Sequence, residues 1–228
     1  MHVLYLHGFA SSAQSSKATF FRTRLAEHGV AQTTPDFNQP DFSTLTISRM
    51  LDQMGEELQQ IPAGARVALI GSSLGAFVAV HAALRHPARI DRLVLLAPAL
   101  DFKGNRLRSL GDRGVDEWQR TNELQVFHYG FGRMMPVHFG LYTDAEGYDA
   151  MNARIDLPVL IFQGTRDTAV DPATVEEWAA ARPNARLRLL DDDHQLLASL
   201  EQIWLETAEF LSLTSARRSH PLDAARQA

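Results

Sequence analysis

Ser73 stands at the centre of Gly71-Ser72-Ser73-Leu74-Gly75, directly after the apolar run Val67–Ile70 and before the apolar stretch Leu74–Leu84. A serine hydroxyl is a weak nucleophile until a neighbouring base takes its proton. A G-x-S-x-G turn between a strand and a helix exposes such a hydroxyl above the edge of a sheet. Glycine is needed on both sides because so tight a turn leaves no room for a side chain. The helix start behind the serine favours negative charge near it. Ser72 is the rival nucleophile, but the motif points to its centre, and Ser72 is expected to pack or hydrogen-bond locally. A phosphate-cradling loop would want a lysine after the last glycine and meets Ala76-Phe77 instead.

The elements that must position Ser73 follow from the spacing of apolar residues. Short, nearly continuous apolar runs alternate with longer helical patterns, as in a parallel sheet covered on both faces. Strands are expected at Val3–Leu6, Ala31–Thr34, Val67–Gly71, Leu93–Ala97, Val159–Gln163 and Leu187–Leu190. Ser43 is a candidate cap for a helix in which Ile47, Met50, Leu51, Met54, Leu58 and Ile61 recur at helical spacing. Asp171-Pro172 offers a cap and a proline at the first helical position. Leu196 to Leu213 reads as a last helix. The long stretch from Phe102 to Arg154 shows no convincing strand and is rich in aromatic residues and methionine, so it reads as a functional insertion. Residues 214–228 lose all periodicity and read as a loose tail.

These ordered pieces resemble the α/β-hydrolase superfamily, and within it the small bacterial serine esterases and thioesterases with a short cap. The resemblance spans about residues 1–213. It rests on Leu6-His7-Gly8-Phe9-Ala10-Ser11-Ser12, Gly71–Gly75, Leu95-Leu96-Ala97-Pro98-Ala99, Gln163-Gly164-Thr165-Arg166-Asp167 and Asp193-His194. It implies a single α/β domain with a mostly parallel sheet of about six strands, flanked by helices and carrying a helical cap over about 102–154. In chain order the superfamily places serine, then acid, then histidine, which assigns Asp167 as the acid and His194 as the base. Both follow strand ends, and loops at the carboxyl ends of parallel strands converge on one edge. Asp171 looks like a helix cap and Asp191–Asp193 like a solvated loop. His128 and His138 are read as cap or pocket residues, and His7 as a brace for its loop. The resemblance also implies an oxyanion hole made by the backbone N–H groups of Leu74 and Phe9.

The insertion's Phe127, Tyr129, Met134, Met135 and Phe139, together with His7, are candidate substrate-pocket residues. An apolar pocket suits a small to medium acyl or aryl group, so a carboxylic ester or thioester is the expected substrate. The same fold and site would also serve carbon–carbon bond hydrolysis, cofactor-free peroxidase chemistry or small-molecule sensing, and the motifs do not separate these. No cofactor is expected, and no histidine–carboxylate spacing suggests a metal. The 228 residues suffice for one domain, with 45% apolar and 21% charged residues. A net charge of −5 without a basic cluster argues against a nucleic-acid partner. No apolar run approaches the roughly 20 residues needed to span a bilayer. The chain lacks cysteine, which excludes thiol catalysis and disulfides. A strand reads directly from Val3, with no leader pattern before it, so a cytoplasmic monomer or homodimer is expected.

Overall fold

A computed structural model describes residues 1–213, the side chains of 105–108 apart. Four strands come first: β1 (His2–Leu6), β2 (Ala31–Thr33), β3 (Val67–Ser72) and β4 (Ile90–Leu96). An insertion then carries β5 (Leu124–His128) and β6 (Arg133–Val137), and β7 (Val159–Gly164) and β8 (Ala185–Leu190) complete the main sheet. That sheet has six strands in the order β2-β1-β3-β4-β7-β8, and every neighbouring pair is parallel. The six expected strands are therefore present in one sheet. The inner strands β3 and β7 are buried along their whole length, which is why they read as unbroken apolar runs. The edge strand β8 alternates between exposed and half-buried, so only its second half stood out.

Alternation along β1 divides the core into two layers. Val3 and Tyr5 pack with Ala18, Phe21 and Leu25 of α1 (Ser16–Glu27) and with Ile203 and Trp204 of α7 (Leu200–Phe210). Leu4 and Leu6 point the other way, onto α2 (Ile47–Gln60) and α3 (Leu74–Arg85). That second layer also takes Trp178 of α6 (Pro172–Ala180) and Trp118 of α4 (Phe102–Thr121). Each fully buried large apolar side chain contributes about 1.5–3 kcal/mol. The sheet is thus clamped from both faces.

Three expectations are corrected. Helix α2 is capped by Thr46, whose hydroxyl accepts from the Arg49 N–H at 3.1 Å. Ser43 lies one turn earlier, in a 3-10 turn (Phe42–Thr44) capped by Asp41. The last helix is shorter than Leu196–Leu213 because Leu196 and Ser212 take left-handed backbone conformations, φ 56° and 57°, which helix geometry excludes.

The third correction concerns the insertion. Beyond helix α4, itself interrupted at Gly111, it contains an antiparallel hairpin in which Phe127 faces Met134 and Val126 faces Met135. A short helix, α5 (Gly140–Asp144), follows. The insertion is therefore mixed rather than purely helical. The expected tail, 214–228, lies outside the described residues. Among the described residues no helix is long and apolar enough to cross a membrane.

Candidate active site

Ser73 sits between β3 and α3 with φ 54° and ψ −116°, a region disfavoured for any residue with a Cβ. The surroundings hold it there. Its N–H donates to the Leu96 carbonyl at 2.9 Å, and its own carbonyl accepts from Ala76 at 3.0 Å. A Cβ on Gly71 would lie 2.5 Å from the Gly75 carbonyl oxygen, and one on Gly75 would lie 2.0 Å from that of Leu6. Neither position admits a side chain without moving backbone, so both glycines are steric requirements of the turn. Ser72 is buried beside the Tyr5 phenol, away from the cavity described below.

The structure brings Ser73, His194 and Asp167 together, although 121 residues separate the serine from the histidine. The Ser73 hydroxyl lies 3.1 Å from His194 Nε2, and His194 Nδ1 lies 2.8 Å from Asp167 Oδ2. Asp167 Oδ2 also accepts from Gln163 Nε2 at 2.9 Å. Its Oδ1 accepts the backbone N–H groups of Ala169 and Val170 at 2.8 and 2.9 Å. The carboxylate has no exposed surface. Burial alone would raise its pKa. The hydrogen bond and charge of His194, together with the bonds from Val170 and Gln163, outweigh burial and hold the pKa below the usual carboxylate range. An ionised Asp167 can only accept, so Nδ1 carries the imidazole proton and the lone pair of Nε2 faces the serine. That arrangement can draw a proton from Ser73.

A cavity of about 710 Å³ opens over this group, lined by Ser73, Leu74, Asp167 and His194. Phe9, Phe102, Tyr129 and Val170 add apolar wall, and Ser109 and Thr168 add hydroxyls. Phe9 and Leu74 thus border the same space as the serine. Leu74 is the first residue of α3, so its N–H has no acceptor within the helix.

Of the pocket residues expected from the sequence, only Tyr129 lines this cavity. Phe127 and Met134 pair across the hairpin on its outer face and are about half exposed. Met135 packs inward against the core, and Phe139 stacks on Tyr142 and meets Trp118 edge-on. His7 is buried in the loop after β1, where Nε2 accepts from the Phe37 N–H at 3.1 Å and Nδ1 lies 3.0 Å from the Gly8 carbonyl. It braces that loop. Sequence reasoning missed Gln163 and the amides of Ala169 and Val170 as partners of Asp167. Gln163 lies four residues before Asp167 at the end of β7, and nothing in residue type or spacing shows that its amide, or the N–H groups of Ala169 and Val170, turn toward the carboxylate.

Among the described residues no group of three or more histidines and carboxylates is arranged to hold a metal.

The description "Uncharacterised protein family (UPF0227)" fits residues 2–210 of the chain. A comparison with curated proteins gave no match. Solved structures are similar over nearly the whole chain. The alpha/beta hydrolase domain-containing protein 10 from mouse gives a TM-score of 0.78 at 18% identity, covering 92% of this chain and 89% of that one. Est1E from Butyrivibrio proteoclasticus, solved with ferulic acid bound, gives 0.78 at 20% identity over 92% and 88%. The esterase Pf2001 of Pyrococcus furiosus gives 0.68 at 20% identity over 92% and 82%. At such identities the likeness is one of fold. The chain has the α/β-hydrolase fold and belongs to the uncharacterised protein family UPF0227.

Proposed function

We propose that this protein is a serine hydrolase that cleaves carboxylic esters or thioesters with a small to medium apolar acyl or aryl group. The observation that carries the reading is the unbroken Ser73–His194–Asp167 chain of hydrogen bonds at the floor of an accessible cavity. His194 Nε2 takes the Ser73 proton as Oγ attacks the carbonyl carbon. Charge collects on the carbonyl oxygen, where the N–H groups of Phe9 and Leu74 stabilise it. One such donor is worth about 3–4 kcal/mol of transition-state stabilisation. His194 then returns its proton to the departing alcohol or thiol, leaving an acyl-serine. Water repeats the sequence and releases the acid.

Asp167 supports the imidazolium in both steps. Its depressed pKa keeps it ionised throughout. The apolar wall of Phe9, Phe102, Tyr129 and Val170 favours an apolar group beside the reacting carbonyl. Esterases among the structures of similar fold are consistent with this choice.

The test is turnover of p-nitrophenyl esters from acetate to octanoate by the wild type and Ser73→Ala, together with fluorophosphonate labelling. Turnover that disappears in the variant, with label on Ser73, is expected. Equal inactivity of both proteins and no label at Ser73 would sink the reading.

A further inference from the structure

The loop that would supply one oxyanion donor is held in an unfavourable shape. The Ser11 N–H donates to the Gly8 carbonyl at 3.3 Å, closing a tight turn with Phe9 and Ala10 at its centre. Ala10 has φ 52°, where a turn of this kind normally uses glycine. A left-handed alanine is strained, so its surroundings must over-determine it.

Those surroundings come from the insertion and from the segment between β2 and α2. The Tyr129 N–H, at the end of β5, donates to the Ala10 carbonyl at 2.8 Å. One residue further along, the Ser11 carbonyl accepts from Asn38 Nδ2 at 2.9 Å, and Asn38 Oδ1 lies 3.1 Å from His128 Nε2. His128 Nδ1 accepts from the Phe131 N–H at 3.2 Å. Since Nδ1 is an acceptor there, Nε2 carries the proton and donates to Asn38. His128 is wholly buried and Asn38 nearly so, so each bond replaces one to water and a broken one leaves an unpaired group. The rings add a second route. His128 meets Phe42 edge-on at 4.6 Å, and Phe42 meets Phe9 at 5.6 Å.

We propose that His128 and Asn38 are positioning residues through which the insertion's hairpin fixes the Gly8–Ser11 turn and thereby aims the Phe9 N–H at the developing oxyanion. The inference rests on the acyl-transfer reading above. Neither residue is among those lining the cavity beside the reacting atoms, so both act through the loop. Ground-state binding should barely feel the change, whereas transition-state stabilisation should. A displacement of about 1 Å at a reacting group is enough to cost on the order of 100-fold.

Two kinds of variant and two readouts test this. Asn38→Asp still accepts from His128 but cannot donate to Ser11, and His128→Phe keeps the ring but loses the donor. Each should lower kcat on p-nitrophenyl acetate by about 10- to 100-fold, with KM within about twofold. His128→Gln, whose amide can still donate to Asn38, should recover most of the rate. Amide hydrogen exchange at residues 8–11 should quicken in the two damaging variants and not in His128→Gln. If the wild type shows no Ser73-dependent turnover, acyl transfer fails, and exchange still reports on the turn. Unchanged exchange overturns the inference. So does quickened exchange with wild-type kcat, or a loss in KM rather than kcat.

Discussion

The two walls of the cavity are built differently. On the sheet side, each side chain of the proposed machinery is fixed by several constraints at once. Asp167 accepts four hydrogen bonds, and Ser73 sits in a turn that tolerates only glycine at its flanks. The insertion meets the cavity through a few side chains, among them Phe102 and Tyr129. Tyr129, Phe127, Phe131 and Met134 of the hairpin are all exposed, while His128 between them is completely enclosed. The sheet edge therefore supplies geometry that the strands themselves enforce. The insertion supplies a more exposed surface, anchored at a few buried points.

Asp167→Asn gives this contrast its sharpest test. Asp167 Oδ1 serves two backbone N–H groups, so an asparagine must keep its oxygen there. Its NH2 would then face both His194 Nδ1 and the Gln163 amide, all of them donors. His194 would be driven to the tautomer with its proton on Nε2, where it cannot accept from Ser73. On the proposed mechanism, kcat should fall by about 10⁴-fold with folding largely kept. Asp171 lines the same cavity, but its carboxylate caps α6 through the Ala173 N–H. Asp171→Asn should therefore lose at most about 1 kcal/mol of stability and little rate. If the two results are exchanged, the wrong carboxylate has been assigned and the sheet-edge account breaks.

The same contrast explains what could be read from the sequence. The inner strands are legible because burial on both faces makes a strand nearly uniformly apolar, whereas the edge strands β2 and β8 are partly exposed and show only part of that pattern. Ser73 and Asp167 each follow a buried inner strand and His194 follows the edge strand β8, and strand ends converge whatever the loop lengths. The hairpin was not legible. In β5 the alternation is carried by Leu124, Val126 and His128 facing inward, with the apolar Phe127 outward, so the period is blurred. Pro136 in β6 argues against a strand except at an unpaired position or edge. Aromatic content alone could not say which rings face the cavity, and five of the six candidate pocket residues do not line it. The Asn38–His128 bond joins residues 90 positions apart, and neither lies in a motif.

His81 probes how the sheet layer meets the insertion away from the cavity. It lies on α3, packed edge-on against Phe77 and against Tyr148 of the insertion. Burial pushes its pKa from 6.5 down to about 4, with attraction to Asp149 offsetting part of the effect. Between those values the unfolded chain binds the proton more readily, so stability is full above about pH 6.5 and is lost as pH falls toward 4. The shift corresponds to about 3 kcal/mol at most. In His81→Gln, urea unfolding followed from pH 7 to pH 4 should show a shallower loss than the wild type by up to that amount. His2, His86 and His128 are also shifted down, so some slope should remain. An unchanged slope would mean that this junction opens before the molecule unfolds.

Trp118 is the smallest and most local test. It is almost fully buried within the insertion, and its indole N–H donates to the Val137 carbonyl at 2.8 Å, joining α4 to the end of β6. Trp118→Phe keeps most of the ring packing against Phe139 and Tyr142 but removes that buried hydrogen bond. The cost should be about 1–3 kcal/mol, or roughly 2–4 °C in Tm per kcal/mol for a chain of this size. If the insertion is a layer held at separate points, the change should stay local. Val137 lies at the far end of the hairpin from His128, so kcat on a short ester should fall less than threefold while Tm drops. A kcat loss as large as that of His128→Phe would show that the hairpin transmits strain along its whole length, and the two anchors would then have to be treated as one.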